Sequence, residues 1–106
     1  MRNFKSGSTR DDDTNKFDYD GFLSPQVIER YAEYMHKHRK QADGKMRASD
    51  NWQAGIPKEA YMKSVWRHFM SWWKEHRGIK SDEGLEEALC AVIFNAMGYL
   101  HETLKK

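Results

Sequence analysis

Glu75, Glu83, Glu86 and Glu87, with His68 ahead of them, are the residues of this sequence whose types and spacing best suit chemistry. Carboxylates on two facing helices are how helical bundles hold divalent cations, and Mg2+ is bound through a few carboxylates completed by water and phosphate. Glu83, Glu86 and Glu87 open the last helix-like segment, while His68 and Glu75 lie on the one before it. The structural alternative is that acidic residues collect at a helix start because the dipole there is positive, and that His68 is bonded within a bundle. His36, His38, His68, His76 and His101 lack the spacing of a closed zinc site, and the lone Cys90 supplies no second sulfur. Cys90 sits beside Ala91 on an apolar segment and reads as a buried, inert thiol. Nothing matches a nucleophile elbow, a phosphate-cradling glycine loop or a dinucleotide fingerprint.

A second feature is the stretch Asn51-Trp52-Gln53-Ala54-Gly55-Ile56-Pro57. It ends a loop, Asp43 to Gly55, that also carries Lys45, Arg47, Ser49 and Asp50 without any repeated apolar pattern. At about a dozen residues the loop is longer than most connections in small domains, and such loops are functional or disordered. A tryptophan in this polar setting, leading into a segment with Arg67, His68 and Glu75 among aromatics, favours a loop folded over a site.

The elements that must position these residues are helices. Ser24-Pro25 is a helix start, with serine as cap and proline at the first helical position. Val27, Ile28, Tyr31, Tyr34 and Met35 recur at helical spacing, which predicts a first helix reaching about His38 to Ala42, stopped by Asp43-Gly44. Its end, His36-Lys37-His38-Arg39-Lys40, is a basic cluster that either complements the helix dipole or contacts a phosphate or a partner. Pro57 opens a second helix with a wide apolar stripe of Tyr61, Met62, Val65, Trp66, Phe69, Met70 and Trp73, ended by Gly78. Trp72 and Trp73 together cover more than one face, for which oligomerisation is the simplest explanation. Ser81 reads as the cap of a third helix, where the small residues Ala88, Ala91, Ala96 and Gly98 would admit a close neighbour. Strand-like alternation and internal repeats are absent from the sequence, so the expected class is all-α: a three-helix bundle over 23–106 with a polar, extended N-terminal arm over 1–22. Phe17, Tyr19, Phe22 and Leu23 are expected to pack the end of that arm onto the domain.

A chain of 106 residues bounds this to one small core. Hydrophobic content is 39% and mean hydropathy −0.97, yet aromatic residues make up 13%, so a few large side chains or a partner subunit must supply the burial. A net charge of +2, from 18 basic and 16 acidic residues, disfavours nucleic acid as the partner. No apolar stretch has the length of a membrane span or the form of a signal peptide, which points to a soluble, cytoplasmic protein.

Gly7-Ser8-Thr9-Arg10-Asp11, Lys16, Leu23-Ser24-Pro25, Asn51-Trp52, Gly55-Ile56-Pro57, Trp66-Arg67-His68 and Phe94-Asn95 together resemble the phage proteins described as dATP/dGTP diphosphohydrolase N-terminal domains. That family is similar to the MazG-like, all-α nucleoside triphosphate pyrophosphohydrolases. The resemblance implies a phage-encoded, usually oligomeric, Mg2+-dependent protein of the host cytoplasm acting on purine dNTPs. On this basis Glu75 and Glu87, with Glu83 and Glu86, would hold Mg2+; Lys45, Arg47, Arg67 and His68 would contact phosphates; Trp52 would cover the base and Asn51 would bond it or fix the loop. Glu86-Glu87-Ala88-Leu89-Cys90 departs from the family-like Glu-Glu-x-x-Asp by placing Cys90 where the aspartate stands, and a thiol is a poor ligand for a hard cation. The departure keeps open a non-catalytic alternative, in which the same helical fold binds and inhibits a host or defence protein.

Overall fold

Ser24 opens the helical body, its hydroxyl accepting a hydrogen bond from the Val27 amide at 3.3 Å while Pro25 fills the first helical position. A missing N–H is harmless there. The structure, a computed structural model, describes residues 2–12 and 14–105. A one-turn helix α1 (Tyr19–Phe22) precedes three long ones, α2 (Pro25–Lys37), α3 (Lys58–His76) and α4 (Leu85–Leu104). The all-α class is therefore observed, with its main helices where the apolar spacing places them.

The N-terminal arm has more local structure than its sequence suggested. Arg2–Asn3 (β1) pairs antiparallel with Thr9–Arg10 (β2), Arg2 opposite Arg10, around Gly7 at φ +91°. Strands of two residues are too short to display alternation, which is why this hairpin was invisible in the sequence. Phe17, Tyr19, Phe22 and Leu23 do not pack onto the domain: they are 73%, 67%, 78% and 54% exposed.

Helix α2 also stops early, at Lys37. The His38 ring donates from Nδ1 to the Tyr34 carbonyl at 2.8 Å and so satisfies a helix-end acceptor. The chain then forms a small hairpin: the Arg47 amide donates to the Arg39 carbonyl at 2.9 Å, Arg39 Nε donates to the Arg47 carbonyl at 2.8 Å, and Lys40 bridges to Met46. Asp43-Gly44 makes the turn of this hairpin, with Gly44 at φ +85°, instead of ending the helix.

The start of α4 differs too. Gly84 occupies the cap position and Ser81 lies before it, accepting from the Gly84 amide at 3.0 Å. Ser81 is held by Glu75 six residues earlier, a contact that local capping rules cannot see.

Packing depends on one small-residue stripe of α4, Ala88, Ala91, Asn95 and Gly98, all buried. Tyr61 of α3, 2% exposed, lies so close over Gly98 that its ring fills the space a Cβ would need. Tyr34 of α2 packs against Cys90 and Ala91. Buried Asn95 is satisfied by donating to the Ala91 carbonyl at 2.7 Å, whereas Ala96 is exposed. Outside this core the apolar stripe of α3 remains open, Trp66 being 61% exposed. Among the described residues, no helix is long and apolar enough to cross a membrane.

The contact at Gly98 gives a direct test. Gly98→Ala should lower unfolding stability by about 1–3 kcal/mol through overpacking, read by urea denaturation. Tyr61→Phe should be neutral within about 0.5 kcal/mol or stabilising, because the buried Tyr61 hydroxyl has no hydrogen-bond partner among the described residues.

Candidate functional site

Two clefts meet at the C-terminal end of α2. The first, of about 240 Å3, has Met35, Trp52, Ile56 and Phe94 as its apolar lining and Arg39, Arg47, Ser49 and Asn51 among its polar groups. A 3-10 turn, Asn51–Ala54, carries Trp52 against α4, with its ring centroid 5.9 Å from that of Phe94 and 4.9 Å from that of His101, both edge-on. Trp52 is thus a half-buried wall fixed to the body, and the loop is not a loose flap. The Arg39–Arg47 hairpin bonds bring both arginines to the lining of the same cleft, and a planar fork of donors suits phosphate or a base edge.

The second cleft, about 370 Å3, is lined by Tyr34, Lys37, His38, His68, Glu83 and Glu87. His68 donates from Nδ1 to the Glu83 carboxylate, at 2.9 and 3.0 Å to its two oxygens. That bond fixes the tautomer and leaves Nε2 as the nitrogen able to take a proton. Lys37 pairs with Glu87, and Arg30 reaches Glu86 at 2.7 Å and Glu87 at 3.7 Å. Burial, reinforced by Glu83 nearby, pushes the Tyr34 phenol up to about 12, so its hydroxyl stays a donor throughout the neutral range. Tyr34 and His38 line both clefts, their rings 4.2 Å apart.

The candidate residues divide clearly. Arg47, Asn51 and Trp52 come together in the first cleft, and His68, Glu83 and Glu87 in the second. Lys45 sits on the exposed hairpin and Arg67 on the exposed side of α3, and neither lines these clefts. Glu86 is an exposed partner of Arg30. Glu75 is used in the turn between α3 and α4, where its carboxylate accepts from the Ser81 amide at 2.6 Å and hydroxyl at 2.8 Å. Cys90 lies in the α2–α4 core, where burial pushes its thiol up. Sequence reasoning did not single out Tyr34, and it left His38 and Arg39 between a helix-end role and a phosphate or partner contact. The available signal was the i, i+4 spacing that puts Tyr34 one turn before His38 of the basic cluster.

These carboxylates do not fit a resident Mg2+ within one chain. Among the described residues, no three His, Cys, Asp or Glu side chains are grouped to hold a metal ion, and Glu86 and Glu87 already face Arg30 and Lys37. Near-octahedral oxygen coordination, as Mg2+ demands, is not offered by this set.

Residues 6–106 match the family described as dATP/dGTP diphosphohydrolase, N-terminal. The chain belongs to that family. No curated protein and no solved structure matches it. The span shared with the dATP/dGTP diphosphohydrolase N-terminal domains includes every residue of both clefts.

The Glu75 contact makes a prediction about pH. Bonds from the Ser81 amide and hydroxyl hold the Glu75 carboxyl below its ordinary value of 4.5. Folding therefore favours the ionised form, and the stabilisation is complete above the ordinary value and lost as pH falls through the depressed one. Thermal midpoints measured down that acidic range should fall in the wild type. Glu75→Gln should remove this component, with a lower midpoint already at neutral pH and unchanged nucleotide affinity.

Proposed function

We propose that this chain binds a purine deoxynucleoside triphosphate across the two clefts. The base lies against Trp52 with Asn51 at its edge, and the phosphates run past Arg39, Arg47 and His38 toward Lys37 and His68. The observation that carries this reading is that Tyr34 and His38 line both clefts, so the cleft that bears Trp52, Asn51, Arg39 and Arg47 and the cleft that bears Lys37, His68, Glu83 and Glu87 share one wall. The family description, which names dATP and dGTP, supports the choice of purine. Aromatic stacking is worth about 1–3 kcal/mol per base, and charge-assisted bonds from arginine suit phosphate.

The finer reading is hydrolysis between the α and β phosphates. Water would attack the α phosphorus, the bond to the bridging oxygen would break, and dNMP and pyrophosphate would leave. His68, oriented by Glu83, is the group suited to accept the proton of that water. No step is assigned to a protein-held metal, since the donor set does not fit one; a divalent ion enters as part of the Mg2+–dNTP substrate. Such a substrate implies the cytoplasm as the setting, the resemblance to phage proteins adds an infected bacterial cell, and the open apolar stripe of α3 supports a homo-oligomer. The exposed aromatics also favour a second reading, a non-catalytic protein that binds a host factor, which predicts a folded protein without dNTP affinity.

Isothermal titration should give binding of dATP and dGTP at least tenfold tighter than of dTTP, with Trp52→Ala weakening the purines at least tenfold. Equal binding of all four dNTPs, or an unaffected Trp52→Ala, contradicts the base assignment. Incubation with each dNTP and Mg2+ should release pyrophosphate and monophosphate, and His68→Ala should reduce kcat by about 100-fold or more. Absence of turnover with every dNTP contradicts the hydrolytic reading and leaves the binding reading standing.

A further inference from the structure

We propose that the N-terminal arm is a clasp between two copies of this chain: Phe17, Tyr19, Phe22 and Leu23 of one copy seat on the open apolar groove formed by α3 and α4 of the other. The groove, about 310 Å3, is lined by Met62, Val65, Trp66, Phe69 and Val92. This goes beyond self-association as such, on which it rests, by naming the segment that closes the interface.

Three observations carry it. The first is area. The chain exposes 8863 Å2, where a compact monomer of its mass, 12.6 kDa, exposes about 6,200 Å2. The excess of roughly 2,600 Å2 is comparable with what one chain contributes to an obligate homodimer interface, which buries about 2,000–5,000 Å2 in total. The radius of gyration, 18.9 Å, likewise exceeds the roughly 13 Å of a compact domain of this length.

The second is that both halves of the contact lie open on the same chain. The arm presents four large apolar side chains, each more than half exposed, and the groove presents Met62, Trp66 and Phe69. Aromatic anchors seated in an apolar pocket are what dominates binding energy at protein interfaces. The arm stands off its own helical body, in a molecule whose longest dimension is 58 Å. A second copy is thus in reach of an arm that its own groove leaves empty.

The third is charge. Around the arm's aromatic cluster lie Asp11, Asp18 and Asp20, together with the bases Arg10 and Lys16, all exposed. Along α3, Lys63, Arg67 and Lys74 recur at helical spacing beside the groove stripe of Met62, Trp66, Phe69 and Trp73, and all three are exposed, with Glu59 the exposed acid of the first turn. Asp18 and Asp20, which flank Tyr19, against a basic, aromatic helix make the contact complementary in both respects. Arg67, which lines neither cleft, acquires a role here.

The test uses full-length protein throughout. Sedimentation equilibrium of the wild type should show a species heavier than one chain, and Phe17→Ser with Phe22→Ser should weaken its association at least tenfold without loss of helical circular dichroism. Asp20→Cys and Lys63→Cys chains, made separately with different tags and mixed, should be joined by a short bismaleimide into a mixed dimer. Wild type should give none, its single Cys90 being buried. An oligomeric wild type with no mixed cross-link overturns the clasp alone. A monomeric wild type overturns the clasp and self-association together, and neither result bears on nucleotide binding. A cross-link closing within one chain of an Asp20→Cys, Lys63→Cys double variant shows the arm docking on its own groove, which also overturns the proposal.

Discussion

The contact of Tyr34 with Cys90 and Ala91 is the constraint on which the rest of the structure depends. It holds the end of α2 against α4, and both clefts exist because that end stands where it does. Ala88 and Ala91 are fully buried, and with Gly98 they give α4 a face low enough for tyrosines from α2 and α3 to lie on it. A larger side chain on this face would lift a neighbouring helix and misplace the cleft walls it carries. Cys90 fits this setting as a small apolar core residue whose thiol burial keeps protonated, with Arg30 4.0 Å away. Packing thus accounts for a small apolar residue at this position, which serves the helix pair.

The acidic residues are likewise used structurally before any chemistry is asked of them. Glu75 fixes the α3–α4 turn through Ser81, Glu83 orients His68, and Glu86 and Glu87 draw the cations of α2 onto α4. Half-exposed pairs of this kind contribute little to stability. The consequence is a site whose positive groups, Lys37, Arg39 and Arg47, gather at the α2 end and the hairpin that follows it. That arrangement suits polyphosphate better than a protein-held metal.

Much of the fold was legible in the sequence because its signals are local. Ser24-Pro25 starts α2, the stripe from Tyr61 to Trp73 marks α3, and the small residues of the last helix mark the packed face. What was not legible depends on contacts between distant or unpatterned residues. Ser81 looked like a cap but is claimed by Glu75, so α4 starts at Leu85. α2 ends early because the His38 ring satisfies the Tyr34 carbonyl and the chain then pairs with itself across Gly44. Asn51, Trp52, Arg47, His68, Glu83 and Glu87, picked by residue type and position, line the two clefts, whereas Lys45, Arg67, Glu75 and Glu86 were picked with them and do not, since sequence shows charge but not direction. Tyr34 looked like a core residue, and it is also a cleft wall.

Binding across the shared wall is tested most directly by a nuclear magnetic resonance titration of 15N-labelled protein with dGTP. The Trp52 indole N–H and the ring nitrogens of His38 and His68 should shift together with one dissociation constant, while the backbone amides of Lys45 and Arg67 stay in place. Shifts confined to Lys45 or Arg67, or movement of the Trp52 signal without any response from His38 and His68, would contradict a nucleotide that spans both clefts.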